Sequence, residues 1–93
     1  MLNPMYDITI EYCVPWDYSA RTVSAVQDLM TNYQHVIGNI VIKTGTKGAF
    51  EVTVNDDLIY SKKTNGRHAE PGEILQLFKN VVGSDVATYP QSK

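Results

Sequence analysis

The sequence contains a single cysteine, Cys13, so it can build no internal disulfide and any thiol chemistry must run through one sulfur. A small domain without cystines suits a reducing compartment, and the cytoplasm is the expected location. No apolar run approaches the ~20 residues that span a bilayer. Met1–Asp7 shows no charged stretch leading into an apolar one, so no secretory signal is expected. Excess charge of either sign is also missing: the net charge is −2 with 19% charged residues, which argues against nucleic acid or a membrane as partner. The two histidines, His35 and His68, lack metal-ligand spacing and cysteine neighbours, so no metal is assigned. Gly45 and Gly48 are not followed by a lysine-serine pair and read as backbone requirements of a loop, not as a phosphate cradle.

What remains is an ordinary globular composition, 43% hydrophobic over 93 residues, enough for one domain with one modest core. Tyr6, Ile8, Ile10 and Tyr12 alternate with Asp7, Thr9 and Glu11, the period of a half-buried strand. Cys13-Val14-Pro15-Trp16-Asp17-Tyr18 breaks the alternation, and a helix follows with Asp17 or Ser19 as N-cap. Val23, Val26, Met30 and Tyr33, with Leu29 beside them, form an apolar stripe expected to face the core. Gly38-Asn39 is expected to end that helix, and Ile40-Val41-Ile42 to form a strand parallel to the first.

After a glycine-bounded loop, Thr44–Gly48, the alternation of Phe50, Val52 and Val54 predicts a third strand. Asn55-Asp56-Asp57 supplies turn residues, and Leu58–Lys62 a fourth strand. Pro71 suits the first turn of a second helix, whose stripe is Ile74, Leu77, Phe78 and Val81 and whose stop is Gly83. Residues 1–83 thus form the domain, and 84–93, without periodicity, are expected to be a mobile tail. The fold expected is two-layer α/β, order β-α-β-β-β-α, with both helices on one face of a mixed four-stranded sheet.

Cys13 ends the first strand just before a helix, where the free N–H groups of the helix start favour a thiolate. The segments Glu11–Tyr18, Gly45–Val52 and Leu58–Lys63, then Gly66-Arg67 and Glu70, resemble in order and spacing the Rdx family of selenoprotein W-like proteins. This family stands in the wider group with selenoproteins T and H. The resemblance runs from about Ile8 to Val82. It implies a thioredoxin-like fold and a role in cell redox homeostasis through a C-x-x-C or C-x-x-Sec motif, linked to glutathione. It makes Cys13 the candidate catalytic thiol, with Tyr12, Val14, Pro15 and Trp16 as motif neighbours. Trp16 stands where the family carries its second redox residue, so no dithiol cycle is available. His68-Ala69 likewise replaces a Phe-Pro common among relatives.

One thiol can still form a mixed disulfide. The expected function is a monothiol redox protein with Cys13 as nucleophile, no bound cofactor, and glutathione or another low-molecular-weight thiol as co-substrate. The alternative is a non-catalytic module of the same fold that binds a client protein through its open sheet face or the Cys13–Trp16 edge. The chain is expected to be a monomer or a weak homodimer. Lys62, Lys63 and Arg67 form a small basic cluster on this reading, chiefly a solvated surface.

Overall fold

A computed structural model describes residues 5–90. The readings that fall on Met1–Pro4 and on Gln91–Lys93 lie outside the described residues. The elements are β1 (Tyr6–Cys13), α1 (Ser19–Tyr33), a 3-10 turn (Gln34–Val36), β2 (Ile37–Gly45), β3 (Phe50–Val54), β4 (Asp57–Ser61), α2 (Lys62–Asn65) and α3 (Glu73–Val82). They form a four-stranded sheet ordered β2-β1-β3-β4. β2 runs parallel to β1, while the β1–β3 and β3–β4 pairs are antiparallel. The mixed sheet and its helices are the α/β architecture expected, and the β-α-β-β-β-α order holds with one short helix added.

Alternation in the sequence becomes a two-sided sheet. The register pairs Ile8 with Val54, Ile10 with Val52 and Tyr12 with Phe50. These residues share one face, and with Leu29 and Tyr33 of α1 and Ile74 and Phe78 of α3 they make a single core. Leu29, Ile10, Val52 and Phe78 are wholly buried, and each such side chain stabilises the fold by about 1.5–3 kcal/mol relative to exposure. Between β3 and β4, Asn55 and Asp56 both take positive φ, 49° and 74°. That is the type I′ loop whose twist matches a two-residue hairpin, and Asn and Asp tolerate it best among residues with a side chain.

The structure corrects several boundaries. In α1 the buried positions are Thr22, Ala25, Leu29 and Tyr33. Val23 and Met30, expected in the core stripe, are 63% and 49% exposed. The helix is turned by about one residue from the expected phase, because small Ala25 and Thr22 let its backbone approach the sheet where valine would hold it off. In α3, Ile74 and Phe78 are buried and Val81 is exposed. β2 begins at Ile37, so Gly38 and Asn39 lie inside the strand; Asn39 Nδ2 donates to Asp7 Oδ1 at 2.9 Å, tying the two parallel strands together. β4 ends at Ser61, not Lys62, because the Ser61 hydroxyl caps α2 by accepting from the Thr64 N–H at 3.0 Å.

The segment expected to be a mobile tail makes contacts with α1 and the 3-10 turn as far as it is described. The Tyr89 N–H donates to the Asn32 carbonyl at 2.6 Å, and a ring nitrogen of His35 lies 3.0 Å from the Ala87 carbonyl. Tyr89 also meets the His35 ring, with centroids 5.6 Å apart. These contacts are made without any periodic pattern in the segment, which is why its sequence shows no element.

Candidate functional site

Cys13 is the last residue of β1 and pairs with Gly45 of β2. Its N–H donates to the Ala49 carbonyl at 2.8 Å, and its carbonyl accepts from the Tyr18 N–H at 3.1 Å. The next residue is fixed as well, Val14 N–H donating to the Gly45 carbonyl at 3.0 Å. The backbone around the thiol is therefore clamped between β2, the 46–49 loop and the entry to α1. Cys13 is 0% exposed.

Between Cys13 and α1 stands a tight turn, Val14–Asp17, closed by the Asp17 N–H donating to the Val14 carbonyl at 2.9 Å. Pro15 occupies the first central position of that turn, where its fixed φ is favourable. Asp17 takes φ 53° and accepts from the Ser19 hydroxyl at 2.6 Å. The N-cap of α1 is Tyr18, not Asp17 or Ser19, and no side chain caps it. Five residues separate Cys13 from the first residue of the helix in sequence, while the hydrogen bond from the Tyr18 N–H holds the Cys13 carbonyl beside the N-cap.

Trp16 is 60% exposed and lies across the 46–49 loop. A Cβ placed on Gly48 would fall 2.4 Å from Trp16 Cζ3, and Gly48 has φ 74°. Only glycine satisfies both the ring and the backbone there. The Trp16 ring meets Tyr18 edge-on at 6.2 Å, and the Lys62 ammonium stands 5.9 Å from the Trp16 centroid and 5.8 Å from that of Tyr18. His68 extends this cluster, its ring 4.6 Å from Tyr18 in a T-shaped contact. Burial, with the nearby Arg21 and Lys62 charges, holds the His68 imidazolium below its ordinary range.

The motif neighbours divide by strand geometry. Tyr12 packs toward the core, whereas Val14 and Pro15 are exposed in the turn. Glu11, on the other face from Tyr12, leans over Gly45; a Cβ on Gly45 would lie 2.6 Å from Glu11 Oε2. Glu51 stands opposite Glu11 in register. Both line an open hollow of about 330 Å³ with Lys47, Lys62 and Lys63, next to the loop that carries Gly48.

The basic cluster does not assemble as one patch. Lys62 joins the aromatic group, while Arg67 makes a two-pronged ion pair with Glu73, both contacts at 2.8 Å. That pair, together with the Glu70 N–H, lowers the Glu73 carboxyl to about 2 and raises the Arg67 guanidinium above its ordinary value. The Lys62–Trp16–Tyr18–His68 group was invisible as a unit in the sequence, since its members are up to 52 positions apart. The only hint was the pairing of an aromatic-rich turn with a basic segment. No group of three or more His, Cys, Asp or Glu is placed to hold a metal, and no helix is long and apolar enough to cross a membrane, among the described residues.

The comparisons with known proteins agree with this architecture. Two solved structures share the fold: a selenoprotein W-related protein from Vibrio cholerae, with TM-score 0.78 and 23% identity, and a Bordetella parapertussis protein, with TM-score 0.76 and 22% identity. Each likeness covers 85% of this chain and 99% of the other. The chain is similar to migration and invasion enhancer 1 of Bos taurus, 29% identical over 85 residues, and of Mus musculus, 32% identical over 72 residues. These matches cover 78% and 77% of this chain, and 72% and 61% of the cattle and mouse proteins. The model of the Rdx family matches residues 7–80, from the second residue of β1 nearly to the end of α3. With its mixed four-stranded sheet and its cysteine closing the first strand, this chain belongs to the Rdx family, the selenoprotein W-like group of thioredoxin-like, redox-type proteins.

Proposed function

We propose that the chain is a cytoplasmic one-thiol redox protein in which Cys13 forms a mixed disulfide with glutathione or another small thiol. The observation that carries this reading is the setting of Cys13: a clamped backbone at the end of β1, followed by an exposed turn spanned by the Asp17–Val14 and Tyr18–Cys13 hydrogen bonds. The thiol is covered in the closed state, so its reaction requires that turn to open. Exposed surface turns open locally at small free-energy cost compared with global unfolding.

The chemistry needs no bound cofactor. Cys13 loses its proton to solvent, and the thiolate Sγ attacks one sulfur of oxidised glutathione. The S–S bond of that molecule breaks, an Sγ–S bond forms, and one glutathione leaves as a thiolate that takes up a proton. Because Trp16 carries no thiol, the mixed disulfide is resolved from outside. A second glutathione thiolate attacks the glutathione sulfur, restoring Cys13 and releasing oxidised glutathione.

Intact-mass spectrometry of the folded protein titrated with oxidised glutathione across pH 5 to 9 tests the proposal. A single glutathione adduct is expected, lost in Cys13→Ser and formed faster in Trp16→Ala. Modification that occurs only under denaturing conditions would overturn it. A second reading, a non-catalytic binding module, is favoured by one contrast: Cys13 is 0% exposed while Trp16 is 60% exposed. On that reading Cys13→Ser keeps the client protein and Trp16→Ala loses it.

A further inference from the structure

The two edges of the sheet are unlike. β4, at one edge, has five residues, opens on Asp57 directly after Asp56 and carries a register shift against β3. Short length, charge and a bulge are the ordinary means of blunting an edge. β2, at the other, has nine residues, no proline and one charge, Lys43, and its register shift against β1 is confined to its start, at Gly38. Among the described residues nothing pairs with its outer side.

Apolar surface gathers around this unprotected edge. Val41, 48% exposed, points to the open face of the sheet, while Ile42, 50% exposed, points to the helix face, where the misphased Val23 and Met30 of α1 also stand. With Val26 and Ile42 these two line a groove of about 480 Å³ that no charged side chain borders. A strand edge and a helix face, both apolar and side by side, match what is covered when one sheet continues into another.

We infer that the occupant is a second copy of this chain, its β2 paired antiparallel with the first about a two-fold axis through Val41. Pleat continuity selects such an axis, because opposed residues must share a face and the sum of paired numbers must therefore be even. With Val41 on the axis, Ile40 lies opposite Ile42, and Lys43 lies opposite Asn39. Asn39 is hydrogen-bonded to Asp7, which occupies the adjacent position on β1 and the same face. Each Lys43, which forms no ion pair among the described residues, thereby comes beside the Asp7 carboxylate of the other copy. Two identical charge pairs flank the axis, as a two-fold interface requires. Moving the axis to Ile40 sets Lys43 opposite Ile37, across the register shift at the start of β2, and moving it to Ile42 keeps the pleat but sets Lys43 opposite Val41. Their neighbours on β1 are Tyr6 and Thr9, which carry no acid. With the axis at Val41 the two α1 helices run antiparallel and bury Val23 and Met30 against one another, and the eight strands form one sheet.

Sedimentation equilibrium of the full chain in a reducing buffer, which excludes a Cys13 cross-link, tests the inference up to about 1 mM, where a weak association still registers. A monomer–dimer equilibrium is expected. Lys43→Glu, which faces Asp7 with a like charge, should weaken the dimer at least ~10-fold, and Val41→Lys should do the same. Adding Asp7→Lys to Lys43→Glu should restore the dimer to within about threefold of the original, the signature of reciprocal pairing. Amide hydrogen exchange of Asn39–Lys43 in the unsubstituted protein should slow as concentration rises, whatever the fate of the variants. A monomer throughout with concentration-independent exchange overturns the inference, and so does a dimer indifferent to both Lys43→Glu and Val41→Lys.

Discussion

Replacing Gly48 by alanine tests the contact between the turn after Cys13 and the loop facing it. Two penalties arise. A side chain at φ 74° costs about 1–2 kcal/mol relative to glycine. The new Cβ also falls 2.4 Å from Trp16 Cζ3, so the ring has to leave. Because Trp16 is 60% exposed, it can swing into solvent. The second penalty is therefore bounded by what the ring gains in place, chiefly the Lys62 cation–π contact and the stacking on loop backbone, about 0.5–1 kcal/mol. The total is about 2 kcal/mol, or a fall in melting temperature of about 8–16 °C for a domain of this size. Denaturant unfolding of Gly48→Ala, Trp16→Ala and the double variant separates the two. In the Trp16→Ala background, Gly48→Ala should cost only the backbone part, leaving a coupling of about 0.5–1 kcal/mol. Strict additivity of the two substitutions would refute the account of Trp16 as a plate resting on Gly48.

Leu29→Ala should destabilise by about 2–5 kcal/mol and Val23→Ala by less than about 0.5 kcal/mol, since only the first is buried; chemical denaturation of both distinguishes the observed phase of α1 from the expected one. The Glu73 carboxyl is lowered from 4.5 to about 2 by Arg67, so its contribution is whole above pH 4.5 and is lost as pH falls toward 2. Melting temperature followed against pH should therefore fall less steeply across that window in Glu73→Gln. The His68 imidazolium is disfavoured by burial, so the unfolded chain binds the proton more readily and stability declines as pH drops below about 6.5. His68→Phe, which keeps a ring against Tyr18, should remove that decline, and an unchanged pH profile would refute the assignment.

The sheet was legible because alternation leaves few choices: Ile8, Ile10, Val52 and Val54 could only share a face, and their register follows. Helix phase was harder. Val23 and Met30 keep the same three-four spacing as Leu29 and Tyr33, and hydropathy favours valine over the alanine and threonine that are in fact buried. Close approach of the backbones, a tertiary property, decided against it. Gly38 and Asn39 read as a helix stop because their strand role rests on a partner 32 positions away, the Asp7 carboxylate. At the site, the spacing of Cys13 and Trp16 was plain in the sequence. The burial of the thiol and the gathering of Lys62 and His68 around Tyr18 were not, because chain reversals and not local spacing bring them together.

The position of β1 bears on how the chain is made. β1 precedes the other strands of its sheet in the chain, and both its neighbours come later, β2 ending at Gly45 and β3 at Val54. At about 5–20 residues per second, some 2–8 s pass between the emergence of Cys13 and that of Val54. Until β2 is complete Ile8 and Ile10 have no strand to meet, and until β3 follows one side of β1 stays open, so the hydrophobic centre of the finished sheet travels partly uncovered. The β3–β4 hairpin, whose strands are joined by two residues, closes within microseconds once it exists and presents a ready edge. The sheet is therefore completed by capture of its earliest strand between two later ones, and a pause placed after β2 would prolong the stage in which β1 lacks one neighbour.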